Sequence, residues 1–241
     1  MNIAVIFAGG VGSRMNSAGL PKQFLEVNGV PIIIHTLRVF QQSPLIDRIV
    51  VACKADYIDY LRDKLALFRL DKVGSVVPGG ETGQESIYRG LLAAREEAGG
   101  EEATVLIHDG VRPLIDLDLI RRNLESVSRF GNAVSCAPSK ETVVLSGEEN
   151  TVAQVLPRDR SLFARAPQSF RLSEILAAHE KARAEGLSFV DSCSMMLHYG
   201  HKIHTVETAS QNIKITTPDD FYVFKALLSA RENAQILGVE G

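Results

Sequence analysis

Four apolar runs constrain the fold of this chain more than any other feature: NIAVIFA at 2–8, RIVVAC at 48–53, VGSVV at 73–77 and ATVLI at 103–107. They are short, rich in β-branched residues and apolar throughout instead of alternating, which is the pattern of strands covered on both faces. Between them, 31–42, 55–68 and 82–97 carry apolar residues at helical spacing, and Thr82 with Glu85 reads as a capping box opening the last of these. Strand followed by helix, several times over, predicts an α/β fold built on a doubly wound, mostly parallel sheet.

After residue 131 the rhythm changes. NAVSCAP leads into KETVVLSGEENTVAQVLPR, two alternating segments about a turn-forming SGEEN. That predicts a β-hairpin arm over about 138–158, protruding from a single domain that spans 1–241. A two-stranded arm is marginal in water on its own, so the expectation is that it lies against another subunit. Helical patterns return at 173–184 and 191–199, a strand is expected near 202–207, and Thr217-Pro218-Asp219-Asp220 signals the start of a last helix.

Composition excludes more than it identifies. The 241 residues carry a formal charge of −3, which gives no support to nucleic-acid or membrane-surface binding. Apolar runs such as VPIIIHTL fall far short of the roughly 20 residues a membrane span needs, and no basic segment precedes the first strand, so the chain reads as cytoplasmic. Cys53, Cys136 and Cys193 are widely spaced and read as ordinary buried thiols. His198, His201 and His204 recur every three residues, but Gly200 breaks the helix that would align them, which argues against a metal site there.

In an open parallel sheet, ligands collect outside the carboxyl ends of the strands. After the first run comes Ala8-Gly9-Gly10-Val11-Gly12-Ser13-Arg14, and then Pro21-Lys22. Glycines let backbone N–H groups approach an anion, and Arg14 and Lys22 add charge; a phosphate is the natural guest. Neither GxxxxGK[ST] nor GxGxxG is present, because Met15 stands where the third glycine of the latter would be. After the third run, Gly79-Gly80-Glu81-Thr82-Gly83-Gln84-Glu85-Ser86 sets small residues and a hydroxyl at a helix start. After the fourth, His108-Asp109-Gly110-Val111-Arg112 offers a hard oxygen ligand for Mg²⁺ beside a charge partner, or a salt bridge that only ties a turn. Lys214, in NIKITTP, is either a site cation or a surface lysine on an edge strand.

AGGVGSRM followed by PKQF, GGETGQES, HDGVRP, APQSF and NIKITTPDD, in that order, resembles the family of 2-C-methyl-D-erythritol 4-phosphate and ribitol-5-phosphate cytidylyltransferases over roughly residues 2–225. The resemblance implies a Rossmann-like nucleotidyltransferase fold, an arm-clasped homodimer, Mg²⁺ as cofactor, and a reaction in which a polyol phosphate attacks the α-phosphorus of CTP and expels pyrophosphate. It implies catalytic charge from Arg14 and Lys22 on the triphosphate and from Arg158 and Lys214 on the acceptor phosphate. Ala8, Gly9, Gly10, Gly12, Gly80, Ser86 and Gly110 would surround the nucleotide. Asp109, Arg112 and Thr142 would meet the acceptor, Asp109 also reaching the metal, and the arm would deliver its residues to the neighbouring subunit.

Two departures bear on the acceptor. The family's segment matching Ala166-Pro167-Gln168 usually begins with Thr, and Gly110 replaces its usual Ala. With Gly9 and Ser13 these lean towards ribitol 5-phosphate, the methylerythritol phosphate remaining the alternative. A non-catalytic nucleotide-binding module could keep the glycines, but would have no need of Arg14, Lys22, Asp109 and Lys214 together. A sugar-1-phosphate nucleotidyltransferase shares the first loop without implying the arm or the NIKITTP lysine.

Overall fold

The computed structural model describes residues 1–9 and 20–237. The first half of the chain forms β1 (Asn2–Ala8), β2 (Glu26–Val27), β3 (Val30–Pro31), α1 (Ile32–Gln42), β4 (Arg48–Cys53), α2 (Ile58–Leu67), β5 (Val73–Pro78), α3 (Gly83–Glu97) and β6 (Thr104–Asp109). The second half forms α4 (Leu117–Phe130), β7 (Asn132–Pro138), β8 (Val144–Ser146), β9 (Val152–Val155), β10 (Leu162–Arg171), α5 (Leu172–Ala184), α6 (Ser192–His198), β11 (Thr205–Glu207) and α7 (Pro218–Leu237).

Seven strands make one sheet in the order β11-β7-β10-β6-β1-β4-β5. β1 runs parallel to both β4 and β6, β4 parallel to β5, and β11 parallel to β7. β10 alone is reversed, antiparallel to β6 on one side and β7 on the other. The continuous apolar runs are central because both of their faces are used. In β1, Ala4 and Ile6 join a core with α1, α2 and α4, whereas Ile3 and Val5 join a core with α3, α5 and α6. Each such fully buried Ile or Val contributes about 1.5–3 kcal/mol of transfer free energy, which is why alternation is absent from these strands.

The helix boundaries follow local chemistry. Thr82 caps α3 by accepting from Glu85 N–H at 3.1 Å, but the returning Glu85 carboxylate takes Glu81 N–H at 3.0 Å instead of the cap's own N–H, so the box is shifted by one residue. At α7, Pro218 occupies the first position, and Asp220 accepts from the N–H groups of Thr216 and Thr217 at 2.8 Å each. Cys53 and Cys136 are buried, and Cys193 is half-buried. No described helix is long and apolar enough to cross a membrane.

The predicted hairpin is present as antiparallel β8 and β9, set apart from the main sheet. Its apolar side chains are uncovered: Val144, Leu145, Val152 and Val155 are 47, 47, 60 and 58% exposed. At its base, Ser139 N–H bonds to the Ser161 carbonyl at 3.0 Å, closing the arm where β7 ends and β10 begins.

Candidate active site at the carboxyl edge of the sheet

Asp109 is the last residue of β6 and ends up buried between two cations. Lys214 Nζ stands 2.6 Å from one carboxylate oxygen, and Arg112 Nε donates to the other at 3.1 Å. Burial alone would raise the carboxyl's pKa; the Lys214 ammonium, then the Arg112 guanidinium, outweigh it and hold the group down at about 2. The Asp109–Arg112 bridge therefore exists, and it does more than tie a turn. Arg112 also donates to the Asn212 carbonyl at 2.7 Å, and Ile215 N–H to the Val111 carbonyl at 2.9 Å, so the loop after β6 holds the segment that carries Lys214. Lys214 lies on irregular chain, not on an edge strand.

His108 supports this loop from beneath. It is fully buried, its Nε2–H donates to the Arg112 carbonyl at 2.9 Å, and burial pushes its pKa down to about 4, so the ring is neutral.

Two cavities meet at the Asp109–Lys214 pair. The first, about 380 Å³, is lined by Ala8 and Gly9 at the end of β1, Gly80 to Gly83 and Ser86 at the start of α3, and the lysines Lys22, Lys54 and Lys214. Gly9 is required sterically, since a Cβ there would stand 2.6 Å from Ser86 Oγ. That hydroxyl is already employed: it accepts from Gly80 N–H at 3.0 Å and donates to the Thr82 carbonyl at 2.9 Å, fixing the loop that forms the wall. Gly110 supports the wall without lining it. Its N–H meets the Phe7 carbonyl and its carbonyl the Thr36 hydroxyl, each at 3.0 Å, and an added Cβ would press on Ala8 at 3.0 Å. Arg14, Gly10 and Gly12 lie outside the described residues.

The second cavity, about 230 Å³, shares Phe7, Gly83, Asp109 and Lys214 with the first and continues along Arg112, Arg165, Ala166, Gln168, His179 and the start of α6. Gln168 is clamped there, donating to Asp191 and accepting from Cys193 N–H, each at 2.9 Å. Arg158 and Thr142 are brought together elsewhere. Arg158 Nη2 donates to Thr142 Oγ1 at 2.9 Å at the base of the arm, in a depression that shares no lining residue with the two cavities.

Three contributors escape the sequence reading. Gln23 is buried and donates to the Ala8 carbonyl at 2.6 Å, anchoring the short helix Lys22–Phe24 so that Lys22 faces the first cavity. Lys54 follows β4 directly, and inspecting every strand end would have found it. Arg165 carries no such signal, because Pro167 hides β10 as a strand in the sequence. Among the described residues no group of three His, Cys, Asp or Glu could hold a metal, and each Asp109 oxygen already faces a cation. Such a site fits a metal that brings most of its ligands with it, as Mg²⁺ on a triphosphate does. The first cavity also offers no hydroxyl or thiol paired with a base among the described residues, which suits chemistry done by charge and placement.

Residues 2–230 match the family described as IspD, 2-C-methyl-D-erythritol 4-phosphate cytidylyltransferase. The chain is 52% identical over 240 residues to a ribitol-5-phosphate cytidylyltransferase of Streptococcus agalactiae serotype V, covering 99% of this chain and 100% of that one. It is 49% identical over 239 residues to the protein of the same description from Vibrio parahaemolyticus serotype O3:K6, again with 99% and 100% covered. A solved 4-diphosphocytidyl-2C-methyl-D-erythritol synthase from Anaerococcus prevotii superposes with a TM-score of 0.82 at 27% identity, covering 95% of this chain and 96% of that one.

Proposed function

The chain belongs to the IspD family of cytidylyltransferases, and from that premise we propose that it transfers the cytidylyl group of CTP to D-ribitol 5-phosphate, releasing pyrophosphate. The observation that carries this is the Asp109–Lys214 pair standing between a glycine-walled cavity with further lysines and a second cavity lined by polar side chains. One cavity takes the nucleotide, the other the acceptor. The reacting atoms meet between them.

The acceptor's phosphate oxygen forms a bond to the α-phosphorus of CTP while the bond to the pyrophosphate oxygen breaks, so no enzyme nucleophile and no redox partner is needed. The protein's work is placement and charge. Lys22, held by the Gln23 tether, and Arg14 offset negative charge as it builds on the phosphorus, and Lys214 holds the acceptor phosphate. Asp109, kept ionised by its two cations, accepts from acceptor hydroxyls. Bound Mg²⁺ would further neutralise the triphosphate, and Asp109 is the carboxylate that would hold it there.

Arg158 and Thr142 serve the site of a second copy. The apolar side chains exposed on β8 and β9 are the surface through which two chains would clasp, burying them and carrying this pair across. CTP as donor places the reaction in the cytoplasm.

Pyrophosphate release from CTP, measured with ribitol 5-phosphate and with 2-C-methyl-D-erythritol 4-phosphate, tests the reading. Faster turnover of the first is expected; preference for the second would reassign the acceptor, and no release with any polyol phosphate would leave a nucleotide-binding module. For the shared site, inactive Arg158→Ala and inactive Lys22→Ala chains, mixed and allowed to exchange, should regain activity through one intact site per mixed dimer. Verified exchange without recovery would remove the arm from the mechanism.

A further inference from the structure

One cation of the second cavity has no part in the transfer as described. Arg165 lines that cavity together with Asp109, Arg112 and Lys214, yet among the described residues its guanidinium has neither an ion pair nor a hydrogen-bond partner. Its Nε is buried, and its only described contact of note is a distant one, over the Phe163 ring at 5.9 Å. Arg112 differs: its Nε donates to Asp109 and its Nη1 to the Asn212 carbonyl. A half-buried guanidinium left beside another one is costly unless something with lone pairs fills the space.

The backbone aims Arg165 there. β10 pairs regularly with β7 up to Ala164 and again from Gln168, with a break in register between, so Arg165, Ala166 and Pro167 are released from that ladder. The break lies against the reactive pair. Gln168 is opposite Ile107 of β6, and two residues further along the two strands stand Ala166 and Asp109. The Ala166 carbonyl is held by Asn212 Nδ2 at 2.7 Å, which fixes the break to the segment carrying Lys214. Ala166 itself brings no hydroxyl to the cavity.

We propose that Arg165 reads the hydroxyl groups of the acceptor and thereby selects an unbranched pentitol phosphate over a branched, methyl-bearing tetritol phosphate. A guanidinium presents five donors and no acceptor, and its complement is a row of oxygens with lone pairs. A methyl group in that place leaves the cation unpaired in a confined space. Sites built to bond a hydroxyl reject the analogue lacking it far more strongly than apolar pockets reject an added group. The assignment rests on the cytidylyl-transfer reading above and specifies which acceptor that site prefers.

The test is the acceptor selectivity of the full-length protein and of Arg165→Gln, by pyrophosphate release at saturating CTP, with ribitol 5-phosphate and 2-C-methyl-D-erythritol 4-phosphate. Where turnover is too slow, inhibition against ribitol 5-phosphate replaces kcat/KM. The expected result is a loss of about 10–100-fold in kcat/KM for ribitol 5-phosphate, little change for the methylated acceptor, and an unaltered KM for CTP. Equal losses for both acceptors, or an unchanged ratio, would overturn the assignment while leaving the transferase reading intact. Wild-type protein that releases no pyrophosphate with either acceptor would instead bring down that reading, and this one with it. Arg165→Lys keeps the charge but not the fork and should show an intermediate ratio; should the glutamine variant fail to fold, a wild-type ratio in the lysine variant overturns the proposal.

Discussion

The two cavities that meet at Asp109 are built from different materials. The first is walled mainly by backbone and small residues where β1 and β5 give way to loops, with lysines reaching in from three separate segments. The second is walled by longer side chains from β10, α5 and α6. In the function proposed above, the wall of backbone recognises what every substrate of the reaction shares, a nucleotide and its phosphates, and tolerates little change. A wall of side chains can be re-cut residue by residue. Chemistry that stays constant and selection that varies are thus on opposite sides of one ion pair.

That contrast can be broken in four places. Arg112 belongs to both sides, because it holds Asp109 and the Lys214 segment together. Arg112→Ala should cost about 3–5 kcal/mol of stability, as for other buried pairs stripped of one partner, and should depress use of both substrates; chemical denaturation and paired KM measurements check this. Next in size, Lys22→Ala should lower kcat by about 10² or more, by the same factor whichever acceptor is supplied. A loss that depended on the acceptor would blur the division. Gly9→Ala forces a methyl group against Ser86 Oγ and should cost about 1–3 kcal/mol, raising the KM for CTP while leaving that for the acceptor alone. The double variant Gly9→Ala/Ser86→Ala should recover part of the loss.

The last test is of pH. Burial lowers the pKa of both His108 and His179 to about 4, His108 beneath the loop that carries Asp109 and His179 on the lining of the second cavity. Between the unfolded value of 6.5 and about 4 the unfolded chain binds more protons than the folded one, so stability falls as pH falls through that window. Each histidine adds a slope of up to about 1.4 kcal/mol per pH unit. Asp109 acts lower, since its stabilisation is complete above 3.8 and is lost only as pH drops towards about 2. Tm followed across the histidine window should fall for wild type and fall less steeply for His179→Leu.

The same contrast decides what the sequence alone reveals. Strand ends followed by glycines announce themselves, and Gly9, Gly80, Lys22 and Asp109 all line the cavity they pointed to. β10 does not, because Arg165 and Pro167 interrupt it and Pro normally argues against an interior strand; it is accommodated where the register breaks. α4 is hidden too, although Asp116 caps it and its apolar residues are helically spaced, because its surface is dense with charge. Lys54 stands at the end of β4, a strand that no glycine follows, so that signal does not reach it. Arg165 had no local signature at all: its meaning depends on neighbours drawn from β6 and the segment near 214, which no local pattern specifies.

The reversal of β10 ties the arm to the second cavity. Parallel β7 arrives at the carboxyl edge of the sheet, the chain makes its excursion through β8 and β9, and β10 re-enters from that edge, with Leu162 beside Pro138. Arg165 and Ala166 follow within a few residues of re-entry. The strand that selects the acceptor is therefore also the arm's root, and whatever grips or pulls the arm acts on it directly. If the arm clasps a second copy as proposed, a lineage that changes the clasp cannot do so independently of what it accepts, and assembly and substrate choice should drift together.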